Sequence, residues 1–201
     1  DETARKTDTD PMEAIDEFKR DPRRQAQAGI AAISGWASKD PEGAKAYLAS
    51  VDNEMARGVL TQGIVSGMAS TDPDGATDYV LELDQIQRAQ VADSDTRDER
   101  RQWLDRGRAY AFDRQLDTIA TAQIALGMPN ATAWAENLPE GTIKASAFDR
   151  IADRYASEDP AAAAEWVRSH ADQEYAERAV REVAEELGKE DPEQAVRWVA
   201  D

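Results

Sequence analysis

The sequence predicts an all-α protein built from tandem helical hairpins, and three observations carry that expectation. The stretch EDPAAAAEWV (158–167) returns as EDPEQAVRWV (190–199), 32 residues later. Asp-Pro occurs six times, at Asp10, Asp21, Asp40, Asp72, Asp159 and Asp191. Between these marks apolar residues recur at intervals of four, as in Leu60, Ile64 and Met68, which is helical spacing and not strand spacing.

Each Asp-Pro reads as the end of one helix and the start of the next. Asp accepts hydrogen bonds from the free N–H groups of a first turn, and its charge suits the positive end of the helix dipole. Pro fits the first helical position, where its missing N–H costs nothing, and it bars α geometry from the residue before it. Around four of these pairs one pattern recurs. Four residues before the Asp stands a large side chain (Trp36, Met68, Tyr155, Leu187). Four after it stands Ala44, Ala76, Ala163 or Ala195, and seven after it Tyr47, Tyr79, Trp166 or Trp198. The Ala and the ring therefore share one helix face. A weaker copy, GMPNATAW, keeps the phase, because Trp134 lies 32 residues before Trp166. The first copy, DPMEAIDEF, keeps Ala14 and places Phe18 one position late.

The expected repeats span about 10–39, 40–71, 72–127, 128–158 and 159–190, with a partial sixth at 191–201. Together they form a single helical-repeat domain over 1–201. Each pairs a short first helix with a longer second one; in repeat two these are Pro41 to Val51 and Glu54 to Ser70. The second helices carry apolar stripes: Leu60, Ile64 and Met68 with Val65, then Ala147, Ile151 and Tyr155, then Ala179, Val183 and Leu187. Trp36, Tyr47, Tyr155 and Trp166 are expected mostly buried between helices. Repeat three carries an insertion, because Tyr79 to Trp134 is 55 residues, 23 more than one period. The surplus lies in 84–107 and is expected to extend the second helix of that repeat, with Gly107 a candidate kink. At 191–201 a first helix stands without its second, so Trp198 is expected to lack its cover. Either self-association through that end or a helix folded back over repeat five would supply one.

Helical hairpins of this length in tandem resemble the α-solenoids, the tetratricopeptide-like and HEAT-like arrays. The form WAxxDPxxAxxW, seen in WASKDPEGAKAY, looks like the degenerate repeats of bacterial, often envelope-associated, proteins. The resemblance implies a right-handed α-solenoid of antiparallel hairpins, about five repeats plus a partial sixth, and a tendency to bind partners. AAAAEWVRSHA departs from the Trp-x-x-Leu-Gly-x-x-Tyr motif of tetratricopeptide first helices. HEAT repeats usually run longer.

Bulk composition narrows the functional classes. The formal charge is −17, from 41 acidic against 24 basic residues, so a nucleic-acid backbone or an anionic bilayer is repelled over most of the surface. No run approaches the roughly 18 apolar residues of a membrane span. The opening DETARKTDTDP is polar and is not expected to be a signal peptide. Cysteine is absent, which removes disulfides and thiolate metal sites and leaves the compartment open. Eighteen of the 24 basic residues are Arg; excess carboxylate with scarce Lys suits a salty environment or an exported protein, and equally a GC-rich genome with a solvated acidic surface.

No catalytic, cofactor or metal set is expected. His170 is the single histidine and reads as a surface residue near a helix C-terminus. STDPDGATDYVLE and ADSDTRDER offer carboxylates without calcium-loop spacing: in the first the Gly is misplaced, and in the second Arg97 stands where a ligand belongs. Glu185 and Glu186 are adjacent and so do not share a helix face. The candidate partner-binding residues lie in and beside the insertion. There Arg97, Arg100, Arg101, Arg106 and Arg108 surround Trp103, and Arg and Trp are enriched at interface hot spots. The expected function is a non-catalytic scaffold that binds a protein or peptide through the solenoid groove or the 84–107 insertion. The alternatives are an enzyme with a carboxylate-based or metal-dependent site assembled across repeats, and a structural spacer or assembly subunit.

Overall fold

The structure is a computed structural model that describes Ile15, residues 22–93 and residues 99–200. Within these the side chains of 22–25, 90–93, 99–111, 190, 194, 199 and 200 lie outside the description. The described residues are all-helical, 85% helix, with no strand among them. In chain order the helices are α1 (Pro22–Ala37), α2 (Pro41–Ala49), α3 (Glu54–Ala69), α4 (Pro73–Asp93) and α5 (Glu99–Ala125). They continue with α6 (Met128–Asn137), α7 (Thr142–Glu158), α8 (Pro160–Arg168), a 3₁₀ turn at Glu174–Ala176, α9 (Glu177–Glu190) and α10 (Pro192–Ala200).

The Asp-Pro punctuation works as its chemistry requires. Five helices begin on the proline: α1, α2, α4, α8 and α10. Oδ1 of Asp40 accepts from the Gly43 N–H at 2.9 Å, Asp72 from Gly75 at 2.9 Å and Asp159 from Ala162 at 3.0 Å. Asn53 does the same for α3, accepting from Ala56 at 3.0 Å. The weak copy at 127–129 has no side-chain cap. There Gly127 adopts a φ of 114°, a region open to glycine, and the chain turns into α6 with Pro129 in its first turn.

Two compact units divide the chain, Asp1–Ile119 and Ala120–Asp201, and the division falls inside α5. In the first unit α1 and α3, the second helices of repeats one and two, lie side by side. α2 packs on both of them, and α4 packs on α3. The core is Ile33, Ala37, Leu48, Leu60, Ile64, Val65 and Val80. α3 approaches α1 closely because Gly63 and Gly67 face it: a Cβ on Gly67 would stand 2.2 Å from the Ser34 carbonyl oxygen.

The second unit repeats the plan. α7 and α9, again second helices, lie side by side, α8 contacts both, and α10 packs on α9. Phe148, Ile151, Val167, Ala179 and Val183 form its core, all fully enclosed. The alanines four after the Asp of these Asp-Pro pairs (Ala44, Ala76, Ala163, Ala195) are buried in both units, as the pattern requires.

Trp36, Tyr47, Tyr155 and Trp166 are mostly buried, as expected, though none is fully enclosed. One expectation is revised: the insertion lengthens both helices of repeat three, not only the second. α4 runs from Pro73 through Asp93 because Ala76 to Asp93 holds no Gly, Pro or cap to stop it. Gly107 lies within the continuous helix α5.

Candidate functional site

The densest constellation of aromatic and charged side chains lies in the second unit, where α6, α7, α8 and the 3₁₀ turn meet. The cap at Asp159 sets the register of α8, and the alanine run 161–164 lets it lie close on α7. Trp166, seven after the cap, stacks on Phe148 of α7 with centroids 4.3 Å apart. It also tilts against Tyr155 at 6.3 Å. The first unit holds the same pair at matching positions around Asp40: Trp36 and Tyr47 lie 5.6 Å apart, at 50° against 43°. A ring pair therefore spans the Asp-Pro joint at Asp40 and again at Asp159.

Around Trp166 the site becomes polar. Its indole N–H donates to Glu136 Oε1 of α6 at 2.6 Å. The same oxygen stands 3.7 Å from His170 Nε2. His170 Nδ1 faces the Trp166 carbonyl at 3.1 Å, and the Ser169 hydroxyl donates to that carbonyl at 2.7 Å. The imidazole also meets the edges of Phe148 at 5.1 Å and Tyr175 at 6.2 Å. His170 is thus more enclosed than a surface histidine, with a side chain 17% exposed. Lys144 of α7 is buried; its Nζ donates to Glu140 at 2.7 Å and stands 4.6 Å from the Tyr175 ring centroid. Burial pushes the Tyr175 hydroxyl pKa upward against the pull of Lys144, and Glu140, Glu136 and Asp172 add to the rise.

The result is a face whose rings are partly exposed (Trp166, His170, Tyr175) and whose rim is carboxylate. Glu136 and Glu140 keep 40% and 73% of their side chains in water. Aromatic faces beside carboxylates suit ammonium and guanidinium groups, which the ring quadrupole and the negative charge both attract.

Other titratable groups lie apart from this face. Asp149, between α7 and α9, has its pKa pushed up to about 6 by burial, although Arg178 opposes the rise. The Arg178 Nε is 3.6 Å away, and Asp149 Oδ1 is buried without a hydrogen-bond partner. In the first unit burial raises Tyr79 to about 12, helped by Glu82 and Glu42, and Lys45 Nζ lies 5.3 Å from its ring centroid. Among the described residues no group of three or more His, Asp or Glu is placed to hold a metal ion. Asp72 of the STDPDGATDYVLE stretch is a helix cap. No helix among them is long and apolar enough to cross a membrane.

Of the residues expected to bind a partner, Arg97 lies outside the described residues. Arg100, Arg101, Trp103, Arg106 and Arg108 lie on α5, with side chains outside the description. The Glu136–Trp166–His170–Tyr175 face was not anticipated. Its one local signal is the spacing of four between Trp166 and His170, which puts both on one side of the α8 end.

No protein-family model, curated protein or solved structure matches the chain.

Proposed function

We propose that this chain is a non-catalytic interaction scaffold, a right-handed α-solenoid of antiparallel hairpins of tetratricopeptide-like or HEAT-like type. It holds a protein or peptide partner. One observation carries the reading: of the aromatics seven residues after the Asp of each Asp-Pro, Tyr79 is buried, while Tyr47, Trp166 and Trp198 keep part of the ring accessible. An aromatic ring that is apolar on one side and wet on the other is the side chain interfaces favour. At Trp166 it stands beside the exposed carboxylates of Glu136 and Glu140, on a chain of charge −17. A basic segment of a partner suits that face, and long-range attraction would speed its arrival.

The test is capture from the native source with the parent chain and with a Glu136→Gln/Tyr175→Ala variant. The glutamine keeps an oxygen for the Trp166 indole while removing the charge. A protein held by the parent and lost by the variant, with retention falling as salt rises, supports the reading. Equal retention by both assigns binding elsewhere, and α5 with its arginines is then the element to delete.

A further inference from the structure

Repeats five and six present the same helix twice, and comparing them locates a surface that one has covered and the other has open. α8 and α10 each start on an Asp-Pro and carry Ala163 with Trp166 and Ala195 with Trp198, at matching positions 32 residues apart. α10 packs on α9 and reaches α8 through one bond: the Trp198 indole N–H donates to the Ala164 carbonyl at 3.2 Å. Ala164 beneath it is 4% exposed. The residue 32 positions on from Ala164 is Val196, and it is 70% exposed. Trp198, which the repeat pattern leaves bare, is half-buried because it is seated on the preceding first helix. The open feature is therefore the outward face of α10 around Val196, rimmed by the exposed pair Glu193 and Arg197 at 3.8 Å.

We propose that this face docks a further helical hairpin of the same register. The first helix of that hairpin carries an alanine and, three residues on, a tryptophan whose N–H reaches the Val196 carbonyl as Trp198 reaches Ala164. The inference rests on the stacked-hairpin reading above and follows from register: α10 reaches α8 through this bond, and Val196 is the position where the next such bond falls. A second copy of the chain meeting α10 to α10 brings no such donor, because its own Trp198 already donates to its own Ala164. A hairpin whose tryptophan has not found a partner does bring one.

The experiment extends the chain in register by joining a second copy of residues 168–201 after residue 199. The added segment completes repeat six with a copy of α9 and follows it with a copy of α10. Val196→Glu is then made in the parent and in the extended chain, and each is followed by thermal unfolding and sedimentation equilibrium. In the parent the substitution falls on an exposed site and is expected to shift Tm by roughly 1 °C or less; in the extended chain it lowers Tm by roughly 5 °C or more. Equal small shifts in both chains overturn the docking surface, provided the added segment is helical by circular dichroism. An added segment that is not helical overturns the stacked-hairpin reading and this proposal with it. A parent that dimerises, and becomes monomeric with Val196→Glu, makes a second copy the occupant and also overturns the proposal.

Discussion

Gly67 is the residue on which the first unit's packing turns. On α3 a Cβ at this position would stand 2.2 Å from the Ser34 oxygen, 3.0 Å from its carbonyl carbon and 2.9 Å from the Ala37 Cβ. Two of these three atoms are α1 backbone, so no rotamer change clears them. For ordinary contact at 3.4 Å or more, α1 must move away from α3. That separation would loosen Ile33, Leu60 and Ile64, which the close approach encloses. Overpacking of this kind costs about 1–3 kcal/mol, and a helix-interior alanine returns about 1 kcal/mol of propensity. With the loosened core added, Gly67→Ala is expected to destabilise by about 1–2 kcal/mol. The matched control is Gly58→Ala on the same helix, where a Cβ meets nothing within 4 Å. Only propensity acts there, so it is expected to stabilise by up to about 1 kcal/mol. Thermal unfolding followed by circular dichroism should separate the two variants by roughly 2–12 °C, at about 2–4 °C per kcal/mol for a chain of this size. A Gly67→Ala protein that melts at or above the parent, level with Gly58→Ala, would refute the close-approach account.

Three further outcomes are expected. Trp166→Ala should cost about 3 kcal/mol, the low end for a large aromatic because the ring is not fully enclosed, and Trp166→Phe about 1 kcal/mol for the lost Glu136 bond alone; urea unfolding measures both, and a silent Trp166→Ala would mean that the stack on Phe148 does not hold α7 and α8 together. Asp159→Ala should cost about 1 kcal/mol and Asp159→Asn little, since the amide oxygen still accepts from Ala162. Asp149, raised from 3.8 to about 6, binds its proton more tightly folded than unfolded, so its contribution is present below about pH 4 and is lost as pH rises towards 6. Asp149→Asn should therefore stabilise the protein at pH 7 by about 1 kcal/mol, a shift of two units discounted for remaining solvent, and lose the gain by pH 4; melts at the two pH values decide it, and a variant that is weaker at pH 7 would make Arg178 the dominant influence on this carboxylate.

The helix starts were legible in the amino-acid order because their cause is local. Asp40, Asp72 and Asp159 each bond to an N–H three residues away, and the following Pro forbids any other boundary. The stripes of four, with the buried alanines at 44, 76, 163 and 195, likewise need only the helical period to be read. Helix ends were less legible where no residue enforces one, which is why α4 runs on through the start of the expected insertion to Asp93.

The candidate site depended on packing. Trp166 meets Glu136 across 30 residues and Trp198 meets Ala164 across 34, and a small rotation of either helix about its axis would pair different groups. The same holds for Gly67 against Ser34, for the burial of Asp149 between two helices, and for Val196 standing open where Ala164 is closed. Caps and periodicity act over one helical turn and are written in neighbouring residues. Which face of one helix meets which face of another is set by the summed fit of many weak contacts, and that only the assembled fold decides.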